Sequence, residues 1–76
     1  RALQDRVFLD IGCGLGDQVI AAAEAGARLA VGLDTVEVNL QVAAAHAATR
    51  GVTDRVRFTT DTIPTFGTDW ADVALS

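Results

Sequence analysis

The sequence holds one cysteine and no lysine, and both shortages exclude classes of protein. A single cysteine rules out an internal disulfide and any zinc site built from several cysteines. The six basic residues are all arginines, scattered along a chain whose net charge is −4. Binding to a nucleic-acid backbone needs a concentrated basic face, so this segment is not expected to bind nucleic acid in that way.

Hydrophobic runs of membrane-spanning length are also missing from the sequence. None approaches the roughly 18 apolar residues that a bilayer-crossing helix requires, and no signal peptide is visible. Repeats, low-complexity tracts and linkers are absent as well. A cytoplasmic location is therefore the default expectation.

What the chain has in quantity is apolar side chains. Half of its 76 residues are hydrophobic and only 21% are charged. A chain of this length buries only about 60% of the surface of its unfolded form, whereas such a composition suits a fully covered core. Residues 1–76 are therefore expected to be part of a single larger domain whose C-terminal part is missing.

The order of the apolar segments predicts four strands. Residues 6–11 (RVFLDI) and 28–34 (RLAVGLD) are short apolar runs typical of buried strands. Residues 55–60 (RVRFTT) alternate and are rich in β-branched and aromatic side chains, as in a third strand. A fourth strand is predicted within residues 71–76 (ADVALS) and ends at Ser76.

Two helices are predicted between the first three strands, and both carry end signals. The first begins at Asp17, which stands where an N-cap residue belongs, and is followed by Gly26 in the C′ position. The second covers residues 35–49 and is stopped by Gly51. The apolar stripe of this second helix consists of Val36, Leu40, Ala43 and Ala47.

This order of elements predicts an α/β fold. Right-handed crossovers would give a doubly wound, mostly parallel Rossmann-like sheet with the strand order 3-2-1-4. On that order the fourth strand has a bare edge where further strands would normally pair, so the fold is expected to be incomplete. The same bare edge predicts self-association of the isolated piece.

Glycines on alternate positions mark the stretch LDIGCGLGD, residues 9–17. In doubly wound sheets this loop lies where ligands bind, and its glycines permit a tight turn under the ligand. The dinucleotide fingerprint G-x-G-x-x-G fits poorly, because the third glycine comes one residue early and Asp17 takes the sixth position. Asp17 as N-cap would satisfy the free amides and, with Asp10, would repel a phosphate. The loop is therefore expected to hold a ligand with an ammonium or a sulfonium group.

The same stretch resembles the first motif of class I S-adenosylmethionine-dependent methyltransferases, in which a hydrophobic strand and an acidic residue precede G-x-G-x-G. The resemblance extends along the chain: VGLD matches the second strand, VRFTTDTIPTF the third strand and its turn, and WADVALS the fourth strand. The sequence departs from the family pattern at Ala71, where an aromatic residue is common. The resemblance implies S-adenosylmethionine as cofactor and methyl transfer to an acceptor that the sequence does not identify.

The resemblance also assigns roles to individual residues. Asp10 would orient the methionine end of the cofactor, and Asp61 and Thr62 would hold the adenine amino group. Asp34 would bind the ribose hydroxyls, which agrees with its place 20 residues after Gly14 at a strand end. The candidate cofactor-binding residues are Asp10, Gly12, Cys13, Gly14, Gly16, Asp34, Thr35, Asp61, Thr62 and Ser76. No catalytic residue and no metal ligand is assigned, and Cys13 is expected to contribute its backbone because no activating partner for its thiol is evident.

Three alternatives share parts of this pattern. One is an NAD-dependent oxidoreductase, against which the early third glycine and Asp17 both argue. Another is an aminopropyltransferase-like enzyme, which uses a decarboxylated relative of the same cofactor on a similar fold. The third is a non-catalytic S-adenosylmethionine-binding or partner subunit, which would keep the fold without the chemistry.

Overall fold

The computed structural model of the chain describes residues 4–61 and 71–75. Two helices, α1 (Asp17–Glu24) and α2 (Glu37–Thr49), alternate with the first three strands. A short 3₁₀ turn (Thr53–Arg55) precedes the third strand. The strands are β1 (Val7–Ile11), β2 (Leu29–Leu33), β3 (Val56–Thr59) and β4 (Val73–Leu75). The predicted α/β class is confirmed. In the part of the chain described, neither helix is long and apolar enough to cross a membrane.

The strands form one sheet in the order β3-β2-β1-β4, and every neighbouring pair is parallel. Strand β1 is interior: Asp10 lies in register with Gly32 on one side and with Leu75 on the other. Because the strands are parallel, the segments that follow β1 and β2 emerge at the same edge of the sheet. That edge carries the glycine loop (residues 12–16) and, beside it, Asp34.

The core lies on both faces of the sheet. On one face, buried alanine and valine side chains of α1, together with Leu40 and Ala47 of α2, pack against Phe8, Ala30 and Val56. On the other face Leu9, Val31 and Leu33 form a second cluster, in which Leu9 is fully buried. Among the described residues, both helices therefore cover the same face of the sheet.

Each helix is followed, two residues after its end, by a glycine in the left-handed region, as the sequence predicts. Gly26 has a φ of 101° and donates its N–H to the Ala23 carbonyl at 3.1 Å, and the next amide, of Ala27, donates to the Ala22 carbonyl at 3.1 Å. This is a Schellman motif, which satisfies the last carbonyls of the helix. Gly51, with a φ of 72°, ends α2 in the same way.

The start of each helix differs from the prediction. Asp17 is the first residue of α1 and not its N-cap, which is Gly16 at a φ of 85°, and no side chain caps this helix. The glycine loop therefore enters α1 in a left-handed conformation, in which the carboxylate of Asp17 does not reach the free amides. Val36 is the N-cap of α2, is 46% exposed and does not belong to the buried stripe, whereas Leu40, Ala43 and Ala47 do.

Candidate functional site

The glycine loop turns the chain from β1 into α1 through three glycines with positive φ. The values are 75° at Gly12, 57° at Gly14 and 85° at Gly16, a backbone region that glycine adopts without the steric cost that other residues meet. The predicted need for glycine at these positions is thus a backbone requirement. The left-handed turns at these glycines bring the loop back toward the end of β2.

Three consecutive amides of the loop donate hydrogen bonds to the end of β2. The N–H groups of Gly12 and Cys13 both donate to the Leu33 carbonyl, at 2.7 and 2.8 Å. The Gly14 N–H donates to Oδ2 of Asp34 at 2.8 Å. The amides of Gly12 and Cys13 are thus taken up by β2, and that of Gly14 by the Asp34 side chain.

Asp34 joins two chain segments through one carboxylate. While Oδ2 accepts from Gly14, Oδ1 accepts from the Val36 N–H at 2.8 Å. The backbone hydrogen bonds from Val36 and from Gly14 lower the pKa of Asp34 below its ordinary value, so the group is ionised at neutral pH. A carboxylate has about four acceptor positions, so oxygens that each hold one amide retain capacity for ligand hydroxyls.

The inner side of the loop is tightly packed. A Cβ on Gly16 would lie 2.8 Å from Cβ of Ala43, and one on Gly32 would lie 2.7 Å from Sγ of Cys13 and 2.9 Å from Cδ1 of Phe58. Glycine is therefore required at both positions for close approach. Gly32 and Phe58 are site residues that the sequence reading missed; a glycine inside a strand is the signal that could have found the first.

The outer side of the loop is open. A Cβ on Gly12 or on Gly14 would meet no atom of the described residues within 4 Å. Leu15, between the second and third glycines, is 46% exposed. A ligand could therefore lie directly on the backbone here.

Two groups at the base of the loop have raised pKa values. The carboxylate of Asp10 is only 7% exposed, and burial raises its pKa. Burial, followed by the negative charges of Asp10 and Asp34, raises the pKa of the Cys13 thiol to about 11. The thiol is therefore protonated at neutral pH, as expected of a residue that contributes packing and backbone rather than a nucleophile.

The other candidate residues lie in different places. Thr35 and Asp61 are exposed and follow β2 and β3 at the same edge as the glycine loop, and the Asp61 N–H donates to Oγ1 of Thr59 at 3.2 Å. Thr62 and Ser76 lie outside the described residues. Within the described ranges, no group of three histidine, cysteine or acidic side chains could hold a metal ion.

Asp72 lies away from this edge. Its Oδ2 accepts from the Val7 N–H at 2.7 Å, and its own N–H donates to the Val7 carbonyl at 2.9 Å. These bonds join β1 and β4 at their amino ends, opposite the glycine loop. Asp72 is thus a structural residue.

Comparison with known families identifies the chain. Residues 3–76 match the family model described as "Methyltransferase domain". The chain belongs to this family. The predicted membership is thereby confirmed over nearly the whole sequence.

Relatives and solved structures agree with this membership. The ribosomal protein L11 methyltransferase of Pasteurella multocida is 40% identical over 55 residues, which are 72% of this chain and 19% of that protein. The crystal structure of an RNA methyltransferase from Salinibacter ruber, in complex with S-adenosyl-L-homocysteine, superposes with a TM-score of 0.85 at 27% identity and covers 96% of this chain and 48% of that one. The [4+2]-cyclase SpnF superposes with a TM-score of 0.71 at 30% identity, covering 78% of this chain and 22% of that one. The chain thus spans about a fifth of the length of the curated relatives it matches.

Proposed function

We propose that this chain is the cofactor-binding part of an S-adenosylmethionine-dependent methyltransferase. Family membership and the likeness to a structure that holds S-adenosyl-L-homocysteine support the assignment. The observation that carries it is the hydrogen bonding of the loop amides. The amides of Gly12, Cys13 and Gly14 are already engaged, and the ionised carboxylate of Asp34 lies beside the loop.

A diphosphate fits this loop poorly. Loops that bind dinucleotides present backbone N–H groups to the pyrophosphate. Here the amides of Gly12, Cys13 and Gly14 are engaged with the Leu33 carbonyl and the Asp34 carboxylate. Because no side chain caps α1, the predicted capping by Asp17 does not disfavour an anion; the charge of Asp34 beside the loop does, and it would attract a cationic ligand.

The open cradle over Gly12 and Gly14 fits the methionine end of such a cofactor. Asp10 would orient its ammonium, and Asp34 would accept hydrogen bonds from the ribose hydroxyls. Thr35, Asp61 and Thr62 would lie at the adenine side and Ser76 at the amino-acid side. When bound, S-adenosylmethionine supplies an electrophilic methyl group on its sulfonium, while these residues bind and orient it and Cys13 contributes its backbone to the loop.

The wider setting follows the same proposal. Residues 1–76 would belong to one doubly wound domain, continued by further strands beyond the fourth. The short share of each relative that the chain covers supports this, as does the sheet order with β4 outermost. The outer edge of β4, which no described strand pairs, would let the isolated piece self-associate. A cytoplasmic location is part of the same proposal.

The proposal specifies the cofactor and leaves the methyl acceptor open. One relative is named for a ribosomal protein and one structural neighbour for RNA, so the names alone cover two kinds of acceptor. The residues that would hold an acceptor or a catalytic base are therefore not assigned.

A non-catalytic cofactor-binding subunit is the second candidate. The likeness to SpnF, a cyclase by name, supports keeping an alternative to methyl transfer, because this fold also occurs in a protein named for a different reaction. Binding of S-adenosylmethionine without any methyl transfer across candidate acceptors would favour this alternative.

Isothermal calorimetry with S-adenosylmethionine, S-adenosyl-L-homocysteine and NAD tests the proposal. We expect binding of the first two and none of NAD. Binding of NAD alone would assign the loop to a dinucleotide and overturn the proposal.

A further inference from the structure

The carboxylate of Asp34 connects the glycine loop to the segment after β2. We propose that Asp34 is a positioning residue, which holds the glycine loop in its ligand-binding shape before any ligand arrives, in addition to receiving the ribose. The inference rests on the proposed function in treating this loop as the cofactor loop. The loop geometry itself is independent of the ligand.

The contacts of the loop single out Asp34. Among the described residues, it is the one side chain outside the loop that hydrogen-bonds to the loop backbone. Gly12 and Cys13 are fixed by the Leu33 carbonyl, which belongs to the strand itself. Gly14, farther along the loop, is held at 2.8 Å by a side chain that a single substitution can remove.

The composition of the loop makes such an anchor effective. Glycines lose more conformational freedom on ordering than any other residue, and this loop has three among its five positions. An unanchored loop would have to be ordered when the ligand binds, and that cost would reduce affinity. Asp34 would remove part of this cost by ordering Gly14 in the ligand-free protein.

Both oxygens of the carboxylate are needed for this role. Oδ1 holds the Val36 amide while Oδ2 holds the Gly14 amide, so the turn after β2 and the glycine loop are fixed to each other. An asparagine has one acceptor oxygen in this group and can hold only one of the two amides in the same geometry. Asp34→Asn therefore preserves size while it breaks the connection.

Amide hydrogen exchange in the ligand-free full chain tests the proposal. We expect Gly14 to exchange about tenfold faster or more in Asp34→Ala, and either Gly14 or Val36 to do so in Asp34→Asn, since a hydrogen bond to a charged group is lost. The Ala23 amide inside α1 should keep its rate. Asp54→Asn, at an exposed carboxylate in the 3₁₀ turn, is the matched control and should change neither loop amide.

A pH titration of the unmodified chain followed by NMR provides a second measurement that needs no variant to fold. The Gly14 and Val36 amide resonances should shift together with one midpoint below the ordinary aspartate range, because one carboxylate accepts from both. Unchanged Gly14 exchange in a folded Asp34→Ala protein, or a Gly14 resonance that does not follow this titration, overturns the proposal. If these results are as expected while calorimetry detects no S-adenosylmethionine binding, the proposed function fails and the positioning role stands.

Discussion

The two sides of the glycine loop differ in how closely they are packed. On the inner side Gly16 and Gly32 leave no room for a methyl group, and the loop amides are engaged with β2. On the outer side, no atom of the described part of the chain lies within 4 Å of the Cβ positions at Gly12 and Gly14. Glycines that look alike in the sequence are therefore closely packed below the loop and leave open space above it, where we propose that the ligand binds.

The three loop glycines are required for different physical reasons. All three loop glycines have positive φ, so each is required by the backbone. Only Gly16 is also required by packing, since Ala43 and Phe58 lie directly against it. Substitutions on the two sides should therefore separate loss of stability from loss of ligand binding.

Gly16→Ala should have the largest effect on stability. Left-handed strain contributes about 1–2 kcal/mol, and overpacking against Ala43 adds about 1–3 kcal/mol. We expect the free energy of unfolding, measured by urea denaturation, to fall by about 2–5 kcal/mol. Gly51→Ala is the matched control, because Gly51 also has positive φ but has no atom within 4 Å of the Cβ position. Equal losses in the two variants would mean that packing under the loop is unimportant.

Gly32→Ala should come next, because Gly32 has ordinary backbone angles and only packing is disturbed. Overpacking against Sγ of Cys13 and the ring of Phe58 should cost about 1–3 kcal/mol of unfolding free energy. Adding Cys13→Ala removes the contact with Sγ at 2.7 Å and keeps the one with Cβ of residue 13 at 3.0 Å, so the double variant should recover part of the loss. Strict additivity of the two single substitutions in a double-mutant cycle would contradict close packing between residues 13 and 32.

Gly14→Ala should separate the two sides of the loop. Its methyl group would project into empty space, so stability should fall only by the left-handed strain of about 1–2 kcal/mol. The same methyl group would occupy the proposed cradle, and binding of S-adenosyl-L-homocysteine should weaken by about tenfold or more, a loss of at least about 1.4 kcal/mol. Calorimetry that gives the affinity of the unmodified chain would place the ligand elsewhere.

Local signals in the sequence were enough for most of the fold. The helix ends at Gly26 and Gly51 were predicted because a Schellman motif needs only neighbouring residues. The capping role of Asp17 was wrong because the conformation of Gly16, and hence the start of α1, depends on how the whole loop is held. Helix α2 likewise begins only after the turn at Asp34, so the predicted stripe included Val36 in error.

The contacts on the inner side of the site could not be predicted from the sequence, for a related reason. The need for glycine at position 32 arises from Cys13 and Phe58, which are distant in the chain and meet only after β1, β2 and β3 have paired. The bond between Asp34 and Gly14 depends in the same way on the pairing of β1 with β2. The identities of the proposed ligand-facing residues could be read from a motif, whereas the contacts that support them are set by strand register.

Asp10→Asn should have the smallest effect, and unlike the glycine substitutions it should raise the free energy of unfolding at neutral pH. Burial raises the pKa of the Asp10 carboxyl, so the folded state binds its proton more tightly than the unfolded state does. Stability contributed by this group is therefore full at low pH and decreases as the pH rises through the folded-state pKa.

The neutral amide of Asp10→Asn avoids this penalty. The variant should match the unmodified chain at acidic pH and exceed it at neutral pH, by less than about 1 kcal/mol of unfolding free energy. Binding of S-adenosylmethionine should nevertheless weaken, because the charge proposed to face the ammonium is gone. Asp54→Asn, at an exposed carboxylate, should show neither trend. A stability gain that persists at low pH would show that shape rather than charge is responsible. A gain confined to neutral pH, together with weaker binding, would support the proposal that Asp10 serves the ligand at the expense of the fold.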